Sequence, residues 1–164
     1  MFGHKEMKIN ITSGTADGLT QLAAFDAALI HAGIANLNLI KLSSVIPPNS
    51  VLEICKPEIS EDHYGKKLYV VLSEKRESEK GREAWAGIGW VQGKNGRGLF
   101  VEQHGAQQAE VMRLIRDTLT NMVKNRGAEN EYGPINYHVV GIACEDKPVC
   151  ALVAAVYQVE DWNS

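Results

Sequence analysis

Pro47 and Pro48 end a β-rich run, Asn36-Leu37-Asn38-Leu39-Ile40-Lys41-Leu42, and they constrain the fold more than any other feature of the sequence. Proline lacks a backbone N–H and its ring fixes φ, so two in succession cannot continue a sheet ladder. The strand must therefore leave its sheet at or just after Ser43-Ser44-Val45-Ile46.

Around this break the chain alternates unevenly between strand and helix patterns. Residues 8–11 read as a short strand, and 12–18, rich in Thr, Ser and Gly, as a loop before a helix. From 19 to about 31 the apolar residues recur at helical spacing, with Leu22, Ala23, Leu29 and Ile30 on one stripe and Gly33 as the stop. Asp26 falls on that stripe, so its carboxylate is expected on the core side. A carboxylate there needs a partner, either within the chain, such as Lys41 or an arginine, or outside it; a helix rotated to expose Asp26 is the alternative.

Further strands are expected at 68–73, 84–91 and 98–103, with the small-large alternation of 85–90 marking a packed sheet face. The polar stretch 74–82 reads as a hairpin tip or solvated loop. A second helix spans 106–126, with Ala109, Met112, Ile115, Leu119, Met122 and Val123 on one side and Gly127 as its cap. Segments 135–144 and 149–159 form two last strands joined by the turn 145–148. Strands with two helices, without regular β-α-β alternation, predict an α+β architecture of helices on largely antiparallel sheets.

At 164 residues and 45% hydrophobic content, a single domain over 1–164 is expected, with a core that needs neither disulfides nor a structural metal. The 17 basic and 20 acidic residues are interspersed, so no basic stripe recommends a nucleic acid or an anionic membrane. No apolar run approaches the ~18 residues of a membrane span, and the N-terminus lacks an apolar signal core; a cytoplasmic location is expected. Cys55, Cys144 and Cys150 are odd in number and lack C-x-x-C spacing, which predicts reduced thiols. His4, His31, His63, His104 and His138 are scattered without ligand spacing, so no metal is expected. Phosphate-binding, zincin and nucleophile-elbow motifs are absent.

Taken alone, Ser43-Ser44 at a strand exit is ordinary, since serines satisfy turn backbones well. Its neighbours give it meaning. Phe25-Asp26-Ala27-Ala28-Leu29, then Ala32-Gly33-Ile34-Ala35-Asn36-Leu37-Asn38-Leu39-Ile40, then Ser43-Ser44-Val45-Ile46-Pro47-Pro48 together resemble the pyruvoyl-dependent arginine decarboxylases. The resemblance extends through Arg97-Gly98-Leu99-Phe100-Val101-Glu102 to the closing run 150–157. It implies a four-layer αββα sandwich, assembled as a trimer or a dimer of trimers, with active sites between subunits.

It also implies self-cleavage between Ser43 and Ser44 into chains 1–43 and 44–164, the second carrying a pyruvoyl group made from Ser44. Neither pyridoxal phosphate nor a metal is implied. The pyruvoyl ketone would serve as the electron sink for decarboxylation of arginine to agmatine and CO2. By the resemblance Asn38 assists processing, and in a continuous strand it would share a face with Ser44. On periodicity alone Glu102 reads as a strand-end carboxylate facing solvent; the resemblance matches it to the proton donor, for which partial burial on one face with Phe100 in an otherwise apolar strand would raise its pKa. Asp26 matches the residue that binds the guanidinium, with Leu22, Ala35, Leu37 and Phe100 completing the substrate pocket. The family commonly has glycine where Ala35 stands. Two rivals remain: the same chemistry on another amino acid such as aspartate, which a buried Asp26 would repel, and an uncleaved, non-catalytic assembly subunit.

Overall fold

A computed structural model describes residues 5–163. The order of elements is β1 (Met7–Asp17), α1 (Gln21–Ala32), β2 (Asn38–Lys41), β3 (Val45–Ile46), β4 (Ser50–Ile54), β5 (Lys67–Glu77), β6 (Glu83–Gln92), β7 (Gly98–Gly105), α2 (Gln108–Asn125), β8 (Asn136–Ala143) and β9 (Val149–Glu160). They form a five-stranded sheet, β2-β5-β9-β1-β4, and a four-stranded sheet, β3-β7-β6-β8. Pairing is antiparallel except for β1 with β4 and β2 with β5. Each helix covers the outer face of one sheet, which makes the αββα sandwich, mainly antiparallel, that the sequence led us to expect.

Three apolar layers hold the sandwich together. Ala24, Ala28, Ala32 and Ile34 meet Leu68, Val70, Leu152 and Ala154 between α1 and the first sheet. Ile9, Ile11, Val71 and Val153 meet Ile46, Ile88, Trp90 and Phe100 between the sheets. Val111, Ile115 and Leu119 of α2 pack on Val91, Leu99 and Val101. Strand β9 lies inside the first sheet with both faces covered, so residues 149–156 are buried without alternation. On β6 the alternation sorts by size. Ile88 and Trp90 point between the sheets, whereas Gly87 and Gly89 face α2, where a Cβ on Gly89 would collide with Ile115.

Several expectations need correction. Strand β1 runs on through Thr12 to Asp17, where a loop was expected, because all six residues of this stretch pair with β9. Gly14 there lets α1 come down on the sheet, since a Cβ would collide with the Ala28 carbonyl. Strands β3 and β4 had no sequence signal of their own. Residues 74–77 end β5, and 78–82 are an exposed loop that connects strands of different sheets, so of the two readings the solvated loop holds for 78–82 and the hairpin tip does not.

The largest correction concerns α1. Thr20 caps it, its hydroxyl accepting from the Ala23 N–H at 3.1 Å, and Gly33 ends it at φ 79°. The buried ridge is Ala24-Ala28-Ala32, and of the predicted core stripe only Leu29 packs against it: Leu22 is 65% and Ile30 62% exposed, and Ala23 and Asp26 are exposed with them. The helix is apolar all round, so periodicity could not choose a face. Small side chains won because they allow close approach to the sheet.

His138 of β8 reaches across the sandwich, its Nε2 3.1 Å from Ser13 Oγ of β1. Burial lowers its pKa below the ordinary 6.5, so the folded state resists the proton that the unfolded chain accepts. The stability contributed by neutral His138 is present above 6.5 and is lost as pH falls through the depressed folded value. Between about pH 7.5 and about pH 5.5 the Tm of the unaltered chain should therefore fall more than that of His138→Gln. Parallel melting curves followed by circular dichroism check this.

Candidate active site

Strand β2 continues its ladder as far as Leu42, whose N–H donates to the Val70 carbonyl at 2.8 Å in the first sheet. At Val45 the chain joins β7 in the second sheet, pairing Val45 with Leu99. Ser43 and Ser44 are the link between the two, which is where the prolines required the strand to leave. Pro47-Pro48 then turn the chain back, with Asn49 at φ 62°, into β4 of the first sheet.

This crossover concentrates hydrogen bonds on the Ser43–Ser44 peptide. Ser44 Oγ donates to Glu102 Oε2 at 2.7 Å. The Val45 N–H donates to the Ser43 carbonyl at 2.6 Å, closing a three-residue turn around Ser44. The Phe100 N–H holds the Ser44 carbonyl at 2.9 Å, and the Tyr157 hydroxyl donates to the Val45 carbonyl at 2.8 Å. Phe100 is fully buried beneath, edge-on to Tyr157 with ring centres 6.2 Å apart. A hydroxyl thus lies on a carboxylate, beside a peptide carbonyl that already accepts a short hydrogen bond: the parts of a nucleophile, a base and a polarised electrophile.

Glu102 also edges a cleft of about 440 Å³ with Lys41, Arg76 and His104. It is exposed in the single chain, so the partial burial that the proton-donor match implies is not supplied there. The buried part of β7 ends at Val101, one residue short. Asn38 does not share a face with Ser44, because the strand ends between them; its side-chain amide donates to the Gly65 carbonyl at 2.8 Å. Ala35 and Leu37 line a separate cavity of about 660 Å³ with Ile30, Ile59, Glu61 and Tyr64. Leu22 and Asp26 lie on the outward face of α1, which presents Ile30 at the rim of that cavity. Of the predicted residues, Ser43, Ser44, Phe100 and Glu102 come together, while Ala35 and Leu37 line a cavity elsewhere and Leu22 and Asp26 lie on the exposed face of α1.

The family model of the pyruvoyl-dependent arginine decarboxylases matches residues 8–161. The chain belongs to the pyruvoyl-dependent arginine decarboxylase family. Among curated members, the pyruvoyl-dependent arginine decarboxylase of Thermococcus kodakarensis is 31% identical over 148 residues, covering 89% of this chain and 91% of that protein. That of Thermococcus sibiricus is 32% identical over 152 residues, 91% and 93% of the two chains. That of Methanothermobacter thermautotrophicus is 59% identical over 44 residues, 27% and 29% of the two. For a decarboxylase of this family, Tyr157 and the Val45 N–H are the contacts that sequence reasoning missed. Tyr157 is one more residue of an apolar closing strand, and a backbone N–H has no sequence signal. Among the described residues no group of three or more His, Cys, Asp or Glu comes together to hold a metal, and no helix is long and apolar enough to cross a membrane.

Proposed function

We propose that this chain cleaves itself between Ser43 and Ser44 and then decarboxylates L-arginine to agmatine and CO2. The observation that carries the reading is the 2.7 Å hydrogen bond from Ser44 Oγ to Glu102 beside the Ser43 carbonyl. Glu102 takes the Ser44 hydroxyl proton as Oγ attacks the Ser43 carbonyl carbon. The new C–O bond replaces the C–N bond, and the freed Ser44 nitrogen gains the proton. Loss of the Ser44 Cα proton then expels the Ser43 carboxylate, leaving dehydroalanine at 44. This tautomerises, and one water converts it to the pyruvoyl group with release of ammonia.

The residues around 44 fit such a group. Its carbonyl stays on the Phe100 N–H, and Glu102 lies beside the side-chain position. When present, the pyruvoyl ketone supplies the electron sink that departure of CO2 requires. The chain's own residues do the rest. Glu102 returns a proton to the substrate α-carbon, and Phe100 floors the site. Asp26 receives the guanidinium as a bidentate partner, with Leu22, Ala35 and Leu37 along the aliphatic stem. Asn38, through Gly65, ties down the segment that walls the Ala35–Leu37 cavity and so supports processing from a distance.

A single chain leaves Ala35 and Leu37 apart from Ser44 and Glu102, and Asp26 shares an exposed face with Leu22 and Ile30. This supports an assembly, a trimer or two trimers, in which the α1 face of one protomer closes over Ser44 of the next. Burial of that face would also desolvate Glu102 and Asp26. After cleavage the pieces 1–43 and 44–164 would stay joined, because β1 lies between β9 and β4 inside the first sheet.

The test is intact-mass analysis of the native protein combined with CO2 release from arginine, ornithine and aspartate. Two fragments that co-elute until denatured, with release from arginine and at least about tenfold less from Asp26→Asn, are expected. A single uncut chain in mature protein would overturn the self-cleavage, and preference for aspartate would overturn the substrate.

A further inference from the structure

The self-cleavage needs something to hold the charge that develops on the Ser43 carbonyl oxygen, and Asn38, engaged with Gly65, does not reach that role within the chain. The donor in place is the Val45 N–H, 2.6 Å from that oxygen. A backbone N–H is aimed only as well as its peptide is held. Val45 belongs to a strand of two residues, Val45–Ile46, at the edge of its sheet, and its side chain is 56% exposed. Side-chain packing therefore does little to fix it.

The peptide that carries this N–H is held at its Ser44 carbonyl by the Phe100 N–H at 2.9 Å, and the peptide that follows is held by Tyr157. Its hydroxyl donates to the Val45 carbonyl at 2.8 Å from β9, a long strand in the interior of the other sheet, and its ring is braced edge-on by Phe100. We infer that Tyr157 is a positioning residue of the self-cleavage, its hydroxyl holding Val45 so that the Val45 N–H stabilises the oxyanion formed at Ser43. The inference rests on the self-cleavage reading above. The hydroxyl suits the role because it stays protonated: burial first, and the neighbouring Glu102 carboxylate second, push its pKa well above the ordinary value of 10.0. Once the Ser43–Ser44 bond is cut, residue 44 begins a free chain end. The Tyr157 bond to Val45 and the Phe100 bond to residue 44 then keep that end against Glu102, so the same hydroxyl serves turnover.

Tyr157→Phe removes the hydroxyl and keeps the ring on Phe100. The full-length chain, synthesised cell-free, would be followed by intact mass for the rate of fragment appearance, and the matured protein assayed for kcat and KM. Loss of one neutral hydrogen bond predicts cleavage slowed about five- to tenfold and kcat lowered by a similar factor, with KM unchanged within about twofold. Hydroxylamine, which splits the Ser43–Ser44 ester, distinguishes the step affected. If Tyr157 acts in carbonyl attack, the variant yields less hydroxylamine-sensitive ester than the unaltered chain at the same time. Accumulation of that ester in the variant, or cleavage at the unaltered rate, overturns the inference. If the unaltered chain is itself never cut, the underlying reading falls and this inference with it; if it is cut and Tyr157→Phe keeps pace, only the inference falls.

Discussion

Ser44→Ala is expected to leave a single 18.0 kDa polypeptide that releases no CO2 from arginine. Alanine has no oxygen to attack the Ser43 carbonyl, so the acyl shift has no first step, and without cleavage no ketone forms at 44. The loss should be complete. The fold should survive, because the bonds that hold the crossover are mostly backbone ones: Phe100 N–H to the 44 carbonyl, Leu42 N–H to Val70 and Val45 N–H to Ser43. The side chain of 44 is only half-buried, so the substitution opens little space. Intact mass, far-UV circular dichroism and CO2 release on the same sample check this together. A folded Ser44→Ala protein that still fragments at 43–44, or still decarboxylates arginine, would defeat the mechanism.

The second large effect is expected at Glu102. Its carboxylate is the only side chain bonded to Ser44 Oγ among the described residues, and in the proposed mechanism it serves twice, as base in processing and as acid in turnover. Glutamine keeps the size and can still meet the hydroxyl, but it neither accepts the Ser44 proton nor delivers one to a carbanion. General acid–base catalysis contributes typically ~10²–10⁴-fold. Glu102→Gln should therefore slow fragment formation by about two orders of magnitude, and the matured fraction should turn over arginine slower by about the same factor. Time courses by mass, followed by assay of the separated cleaved material, measure the two effects independently. Cleavage and turnover at unaltered rates would assign the proton transfers elsewhere.

The sequence reading went furthest where a residue's chemistry admits few structures. Pro47-Pro48 cannot continue a ladder, and the chain changes sheets between Leu42 and Val45. Gly87 and Gly89 alternate with Ile88 and Trp90 because one face receives a helix and the other the opposite sheet, and that packed alternation was visible in the residue order. Reading failed where several structures are compatible with the same residues. The segment from Thr12 to Asp17 looks like a loop by composition and becomes a strand only because β9 is there to pair with it. Helix α1 offers apolar side chains on every face, and only docking on the sheet selects Ala24, Ala28 and Ala32 for burial.

For the candidate site the division is similar. The order of residues, through the family pattern it carries, was enough to single out Ser43-Ser44, Glu102 and Asp26, since a motif records residue types and spacing along the chain. Which of them meet is a matter of distance in space. Residues 44 and 102 touch because β3 pairs with β7, while Asn38, much closer to Ser44 in sequence, is carried away to Gly65 by a strand that stops short. The Val45 N–H on the Ser43 carbonyl and the Tyr157 hydroxyl on Val45 belong wholly to the tertiary structure. Every residue but proline has the same backbone N–H, and a tyrosine at the end of an apolar strand acquires a partner only when the two sheets stack.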